Sequence, residues 1–181
     1  MKLIKECIRT FSGRKVDPYH LKPEDIAIED IAHSLAMQAR ANGHFKYFYS
    51  VAQHSVNCAL EAKNRGEGRR TVLACLLHDA AECYIADIPR PVKHRLQGFF
   101  ELEDAVEKVI FEVFGLSGLT QQERDIIKDI DDAMLYYEFE AISGVQVFDT
   151  APYISVRHDF KTREIGEVER EFIRCFAENW K

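Results

Sequence analysis

The sequence predicts an all-α protein built as one helical bundle. Several stretches carry apolar residues at helical spacing, and most of them are bounded by capping or stop residues. At 181 residues the chain is long enough for one sizeable core and short for two. We therefore expect a single domain over residues 1–181, with residues 1–29 as an irregular, glycine- and proline-punctuated segment that packs on it.

The first half of the chain predicts three helices. Residues 31–41 have apolar side chains at helical spacing and end at an Asn-Gly stop. Ser50 is a suitable N-cap for a second helix, which Gly66 terminates. The third and most apolar helix covers residues 69–85, and the prolines that follow it end it.

The second half predicts three more helices and one extended stretch. Residues 99–114 form an amphipathic pattern that ends at a glycine, and Thr120 with a glutamate three residues later is typical of a capping box. That box begins a long helix to about residue 143, and a last helix starts near residue 164. Residues 145–160 alternate like extended chain, which is compatible with a small hairpin.

Composition and charge restrict the partners. The net charge is −6 and no basic stripe runs along a predicted face, which argues against binding to nucleic acid. The five cysteines have no metal-binding spacing and are expected to be reduced core residues in a cytoplasmic protein without a membrane segment. The apolar face of the last helix, with Phe172, Phe176 and Trp180, allows a homodimer, although a core face has the same appearance.

Four potential metal ligands stand in or beside apolar helical runs. His78 and Asp79 follow the run VLACLL, and His54 and Asp131 are placed in the same way. A carboxylate buried among apolar residues normally has a metal or a cationic partner, because burying it unpaired costs several kcal/mol. Each residue alone is more simply a core histidine or part of a helix face. Together they predict a divalent ion such as Mn, Fe, Co, Ni or Zn, with coordination positions open for catalysis.

Two expectations qualify this site. No thiol lies near the four ligands in a recognisable motif, which argues against a structural zinc site. A second His-Asp pair, His158-Asp159, lies among charged residues without an apolar helix before it, and we expect it in a solvated turn.

Two more carboxylates follow His78-Asp79. Glu82 comes three residues after Asp79 and projects to the same side of a continued helix, where it can handle a proton. Asp87 precedes the segment IPRPVK, where it can accept a hydrogen bond from a sugar hydroxyl or position an attacking water. Either residue alone is more simply a surface charge.

These residues resemble the HD-domain phosphohydrolase superfamily, whose motif is H…HD…D. The segments FYSVAQHSV, LLHDAAECYIADIPRPVK and KDIDDAMLYYE are similar to successive blocks of small bacterial and phage HD hydrolases related to 5′-deoxynucleotidases. The resemblance implies that His54, His78, Asp79 and Asp131 bind one divalent metal ion, with Mg added to the candidates above. Asp132 remains the alternative to Asp131 as the last ligand.

The resemblance also implies roles around the metal. It assigns Glu82 to proton handling and water positioning, and it places Asp87 near the substrate. The deoxynucleotidases carry an Arg-Trp pair before the first ligand, whereas this chain has Arg40 without a following tryptophan. Arg40 is therefore the candidate for binding phosphate, and His44 and Lys93 are further candidates for contacting the substrate.

The expected activity is hydrolysis of deoxynucleoside 5′-monophosphates, which are small-molecule substrates. A dNTP triphosphohydrolase of the same superfamily is the nearest alternative, but it needs more cations than stand near these motifs. A helical module that binds metal and nucleotide without catalysis is the second alternative, and it leaves Glu82 and Asp87 without a purpose. The sequence leaves the metal, the base and the sugar open.

Overall fold

Helices carry the fold of residues 7–180, which are the residues that this computed structural model describes. In chain order the helices are α1 (Ile28–Met37), α2 (Val51–Asn64), α3 (Arg69–Leu77), α4 (Glu82–Ile85), α5 (Arg90–Lys93), α6 (Phe99–Val113), α7 (Gln121–Glu138) and α8 (Ile165–Asn179). Single turns of 3₁₀ helix lie at Pro18–His20, Pro23–Asp25 and Arg40–Gly43, and a π turn at Phe139–Ser143 extends α7. The predicted all-α class is confirmed.

The predicted helix starts at Ser50 and Thr120 are confirmed. The Ser50 hydroxyl accepts a hydrogen bond from the Gln53 amide at the start of α2. Thr120 and Glu123 form both hydrogen bonds of the capping box at the start of α7. Each bond satisfies an amide that the first helical turn leaves without a partner, so these residues determine where the helices begin.

Two predicted helices end earlier than expected. The first ends at Met37, because Gln38 and Ala39 have extended backbone angles, with ψ of 128° and 121°. The predicted helix 69–85 is interrupted by a turn over residues 78–81, which separates α3 from α4. This turn contains His78 and Asp79, so the two side chains lie at the end of α3 rather than within a helix.

The hairpin prediction for residues 145–160 is wrong. No strand forms in that stretch, and the antiparallel hairpin that the structure does contain pairs Ile8–Arg9 (β1) with Lys15–Val16 (β2), inside the segment predicted to be irregular. Residues 145–160 are instead anchored by side chains. The Ser155 amide donates to Glu61 Oε1 at 2.7 Å, and His158 Nε2 lies 2.9 Å from Glu61 Oε2.

The solvated-turn prediction for His158-Asp159 is also wrong for the histidine. His158 is only 6% exposed, because its imidazole packs against α2 and pairs with the fully buried Glu61. Asp159 is exposed.

The core lies around α2 and α3. Every residue of α3 from Thr71 to Leu77 is buried, and α2 packs against α1, α3, α7 and α8. Phe172 and Phe176 of α8 are buried in this core, so the face considered for a homodimer is mainly a core face; Trp180 at its end is half exposed. None of the helices in residues 7–180 combines the length and apolar character needed to cross a membrane.

Candidate metal centre

The structure brings the four predicted ligands together. His54 comes from α2, His78 and Asp79 from the turn after α3, and Asp131 from α7. His54 Nε2 lies 3.2 Å from His78 Nε2, 3.2 Å from Asp131 Oδ1 and 3.6 Å from Asp79 Oδ2. His78 Nε2 lies 3.3 Å from Asp79 Oδ2 and 3.7 Å from Asp131 Oδ1.

These distances fit a divalent ion. When metal–ligand bonds are about 2.1 Å long, two neighbouring ligand atoms lie about 3.0 Å apart if their bonds meet at a right angle, and about 3.4 Å apart in tetrahedral coordination. The five distances between donor atoms, from 3.2 to 3.7 Å, lie close to these values. Two imidazole nitrogens and two carboxylates are also a suitable donor set for a first-row metal.

Both imidazoles are oriented by a hydrogen bond on the opposite nitrogen. His54 Nδ1 lies 2.7 Å from Glu138 Oε1, and His78 Nδ1 lies 2.8 Å from the Cys75 carbonyl oxygen. Because both partners are acceptors, each Nδ1 carries a proton, and each Nε2 is the nitrogen that faces the centre and can bind a metal. This arrangement is common behind metal-binding histidines.

Sequence reasoning did not identify Glu138. This residue is fully buried and accepts hydrogen bonds from Arg40 Nε and from the Tyr49 hydroxyl, each at 3.0 Å, as well as from His54. The available signal was its spacing, because Glu138 follows Asp131 by two helical turns and therefore lies on the same face of α7. A glutamate at that spacing is too common to be chosen without the packing of α7 on α2.

Arg40 lies within the centre rather than beside it. Its Nη1 is 3.1 Å from Asp79 Oδ2, its Nη2 is 3.4 Å from Asp131 Oδ1, and its Nε bonds to Glu138. The guanidinium is almost completely buried. Arg40 therefore already pairs with three carboxylates, and two of them are predicted metal ligands.

The buried charges shift the pKa values of the ligands. Burial alone lowers the pKa of His78, but Asp79, Asp131 and the Cys75 carbonyl outweigh it and raise the pKa to about 9. Burial raises the pKa of Asp131, yet its hydrogen bonds to His54 and His78 dominate and hold the pKa well below the ordinary value. A divalent ion would supply the positive charge that these carboxylates favour, and its binding would release the histidine proton.

The sequence contains no thiol motif beside the ligands, but the fold places the thiol of Cys58 close to them. Cys58 Sγ is 3.5 Å from His54 Nε2, and one ligand atom each of His54, Cys58 and His78 lies within 4.8 Å of the other two. Cys58 follows His54 by four residues on α2, a spacing that places both on one helix face. Burial, with Asp131 and Glu138 nearby, raises the pKa of the Cys58 thiol well above its ordinary value. The Cys58 sulfur is a further donor atom close to the two histidines.

Glu82 is a buried acid beside the centre. Its side chain is almost fully buried, Oε1 is 3.3 Å from Lys93 Nζ, and Oε2 has no hydrogen-bond partner within residues 7–180. Burial, and then the negative charges of Asp79 and Asp87, raise the pKa of Glu82 well above its ordinary value. Lys93 does not reverse this shift, because its ammonium is held more closely by Glu103 Oε1 at 2.6 Å. The surroundings of Glu82 therefore favour its protonated form more than those of an exposed glutamate.

The other predicted site residues differ in their placement. Asp87 Oδ2 accepts a hydrogen bond of 3.2 Å from the Ala41 amide, and burial raises the pKa of this carboxyl group. Lys93 faces Glu82, as described above. His44 is exposed, and its imidazole forms no hydrogen bond or ion pair with the rest of residues 7–180.

The structure separates the two candidates for the last ligand. Asp131 faces both histidines, whereas Asp132 pairs with Lys128 and lies 3.6 Å from Arg90 Nη2. Because neighbouring residues on a helix point about 100° apart, only one of the two can face the centre.

Fold and site together define an all-α protein with a buried histidine–carboxylate centre between α2, α3 and α7. No protein-family model matches the chain. It is 33% identical over 158 residues to the uncharacterized protein YfdR of Escherichia coli (strain K12), covering 80% of this chain and 85% of that protein. It is 42% identical over 142 residues to an uncharacterized protein of Rhodobacter capsulatus, covering 75% of this chain and 72% of that protein. The chain belongs to the family that contains these two proteins.

Proposed function

We propose that this protein is a metal-dependent phosphohydrolase of the HD type, and that it removes the phosphate from deoxynucleoside 5′-monophosphates. The proposal rests on two features of the site that occur together. Ligand atoms of His54, His78, Asp79 and Asp131 converge at distances suited to one ion, and the buried Glu82, whose pKa is raised, lies next to Asp79. The three sequence blocks that resemble HD hydrolases contain all five residues.

The residues of the chain have distinct tasks in this reaction. A divalent ion in the centre supplies Lewis-acid activation of water and of a phosphoryl oxygen. Hydrolysis adds water across the bond between phosphorus and the ribose oxygen, so the departing oxygen must gain a proton. The raised pKa of Glu82 favours the protonated carboxyl group, which can donate this proton. Lys93 keeps the Glu82 carboxyl group in place through Oε1, and Oε2 has no partner within residues 7–180.

Two features favour this function over its alternatives. A centre that only stabilises the core gains nothing from burying Glu82 with one oxygen unpartnered, because an unsatisfied buried polar atom costs about 1–3 kcal/mol. A triphosphate substrate requires several free cations, whereas Arg40 is engaged with three carboxylates and Lys93 with two. The monophosphate reaction requires fewer cations.

The test is phosphate release by protein stripped of metal and refilled with Mn²⁺, Co²⁺ or Mg²⁺. The panel contains deoxy- and ribonucleoside mono- and triphosphates. We expect inorganic phosphate from deoxynucleoside monophosphates, and no release from protein that carries Asp79→Ala. Intact triphosphate released from a dNTP would establish the triphosphohydrolase instead. No hydrolysis by protein with confirmed bound metal would contradict the proposal.

A further inference from the structure

A cavity of about 260 Å³ opens onto the metal centre from the side of α6 and α7. Two of the predicted ligands, His78 and Asp131, form part of its lining. The residues predicted to bind substrate, Arg40, His44 and Lys93, do not line it. This cavity is thus a second approach to the centre. The resemblance to HD hydrolases assigns no role to its other lining residues.

One face of α7 leads from the cavity mouth to the centre. Arg124, Ile127, Lys128 and Asp131 follow one another at helical spacing, and all of them line the cavity. The helix therefore places two cationic side chains one to two turns away from a predicted metal ligand. A bound anion that reached the centre through this cavity would pass both.

Charge balance shows why a further cation is needed. Asp79, Asp131 and Glu138 carry three negative charges, which Arg40 and one divalent ion just neutralise. The three Arg40 contacts also occupy Nε, Nη1 and Nη2, so few donors of this guanidinium are free. A phosphate that arrives with two negative charges must therefore find a cation outside this set.

Arg124 is the cation that meets this need. It is exposed and forms no ion pair with another residue of the described range, whereas Lys128 is paired with Asp132. Glu107 also lines the cavity, close enough for the charge of Arg124 to act on it. Burial, and the neighbouring Asp104 and Glu103, raise the pKa of Glu107, although Arg124 opposes that shift.

The remaining lining is apolar. Phe111 and Leu119 are buried side chains, and Ile127 is half-buried on the α7 side. An apolar wall with one aromatic ring suits a planar or hydrophobic body better than a second phosphate. The volume is slightly below the range of about 300–1,000 Å³ that is usual for ligand pockets, which favours a small ligand.

We infer that this cavity is the substrate-binding site of the centre, in which Arg124 binds the phosphate and the apolar wall holds the organic part of a small phosphomonoester such as a nucleoside monophosphate. The inference rests on the proposed function for its choice of ligand. It changes one assignment made from the sequence, because Arg124 replaces Arg40 as the principal phosphate-binding residue.

Binding of inorganic phosphate tests the role of Arg124 without requiring turnover. Calorimetry on Mn²⁺-loaded protein compares the wild type with the variants Arg124→Ala, Arg124→Lys and Arg174→Ala. Arg174→Ala is the control, because the side chain of Arg174 on α8 is 68% exposed and lines no part of the cavity. We expect the affinity for phosphate to fall at least about tenfold in Arg124→Ala, less in Arg124→Lys and not at all in Arg174→Ala. Metal stoichiometry should stay the same in all four proteins.

Wild-type affinity in Arg124→Ala, or no phosphate binding by wild type, would overturn the inference. Either result can occur whether or not the protein hydrolyses nucleotides, so it is distinct from failure of the proposed function. Conversely, a wild-type protein that binds phosphate through Arg124 but hydrolyses nothing in the panel would contradict only the proposed function.

A second variant tests the apolar wall. Ile127→Trp fills the cavity, and its binding of dAMP is measured in a Glu82→Gln background, which is expected to block turnover. We expect dAMP binding to weaken at least about tenfold, while binding of inorganic phosphate stays within about threefold of the background. Thermal unfolding checks that the variant is folded. Unchanged dAMP binding by folded protein would show that the organic part lies elsewhere and would overturn this part of the inference.

Discussion

His54 Nδ1 and Glu138 Oε1 lie 2.7 Å apart in a part of the core where both side chains are fully buried. The carboxylate is also bonded to Arg40 and Tyr49, so it cannot rotate away without leaving three donors unsatisfied. It therefore determines which nitrogen of His54 faces the centre. The pKa of Glu138 reflects this role: burial raises it, but His54 and Arg40 dominate and lower it.

Glu138→Gln should weaken metal binding. The amide presents N–H donors to a pocket that contains only donors, so the orientation of His54 is no longer enforced. We expect the affinity for Mn²⁺ or Co²⁺ to fall roughly 10–100-fold, measured by calorimetry, with a lower melting temperature of the metal-free protein. Glu140→Gln, at an exposed position in the π turn, is the control and should leave both quantities unchanged. Equal metal affinity in the two variants would show that Glu138 does not position the histidine.

Asp131→Asn and Asp132→Asn form a matched pair. Because only Asp131 faces His54 and His78, Asp131→Asn should lose most of the bound metal, and Asp132→Asn should keep it. Metal content after gel filtration, determined by elemental analysis, distinguishes the two. Loss of metal from Asp132→Asn with retention in Asp131→Asn would place the last ligand one residue later.

Glu82→Gln should keep the metal and lose activity. We expect the turnover number to fall by roughly 10²–10⁴-fold, because glutamine cannot donate the proton. The pKa of Glu82 is higher in the folded protein than the value of 4.5 expected in the unfolded chain. Wild-type protein therefore loses folding stability as pH rises above 4.5, whereas the uncharged glutamine of Glu82→Gln causes no such loss. The melting temperature of Glu82→Gln relative to wild type should therefore increase as pH rises from 4.5 toward the folded pKa. Wild-type turnover in this variant would exclude the proton-donor role.

Glu61→Gln should change the pH dependence of stability. Burial raises the pKa of Glu61, but hydrogen bonds from Arg65, His158 and Ser155 outweigh it, so the folded pKa is below the ordinary 4.5. The stabilisation is therefore complete above about pH 4.5 and is lost as pH falls through the folded pKa. Glu61→Gln should melt lower than wild type at pH 7, and the two should converge in acid. A constant difference down to pH 3 would contradict this linkage; the exposed Glu112→Gln serves as control.

Ala86→Gly should stabilise the protein. Ala86 ends α4 with φ of 73° and ψ of 155°, a conformation that is essentially restricted to glycine. Removing the methyl group should add about 1–2 kcal/mol to the free energy of unfolding, measured by denaturant titration. Ala105→Gly, at an exposed position within α6, should instead remove about 1 kcal/mol. A loss of stability in both variants would show that Ala86 is not strained.

The start of a helix was predictable where one side chain accepts a hydrogen bond from a free amide of the first turn. Ser50 and Thr120 cap helices because their hydroxyl groups reach amides within the same turn, and this depends on no distant residue. The alternating pattern over residues 145–160 gave the wrong prediction for the complementary reason. Its backbone is held by Glu61, which lies more than ninety positions earlier in the chain.

The sequence by itself determined the helical class and indicated which polar residues lie together, because an aspartate beside an apolar run is buried only at a high cost unless it has a charged partner. Only the tertiary structure decided which residues complete the centre. Glu138, Cys58 and Arg124 are ordinary helix residues until α2, α6 and α7 pack around the turn that holds His78. Spacing along a helix determines which side chains share a face, but the neighbouring helix that this face meets is decided by packing of the whole core.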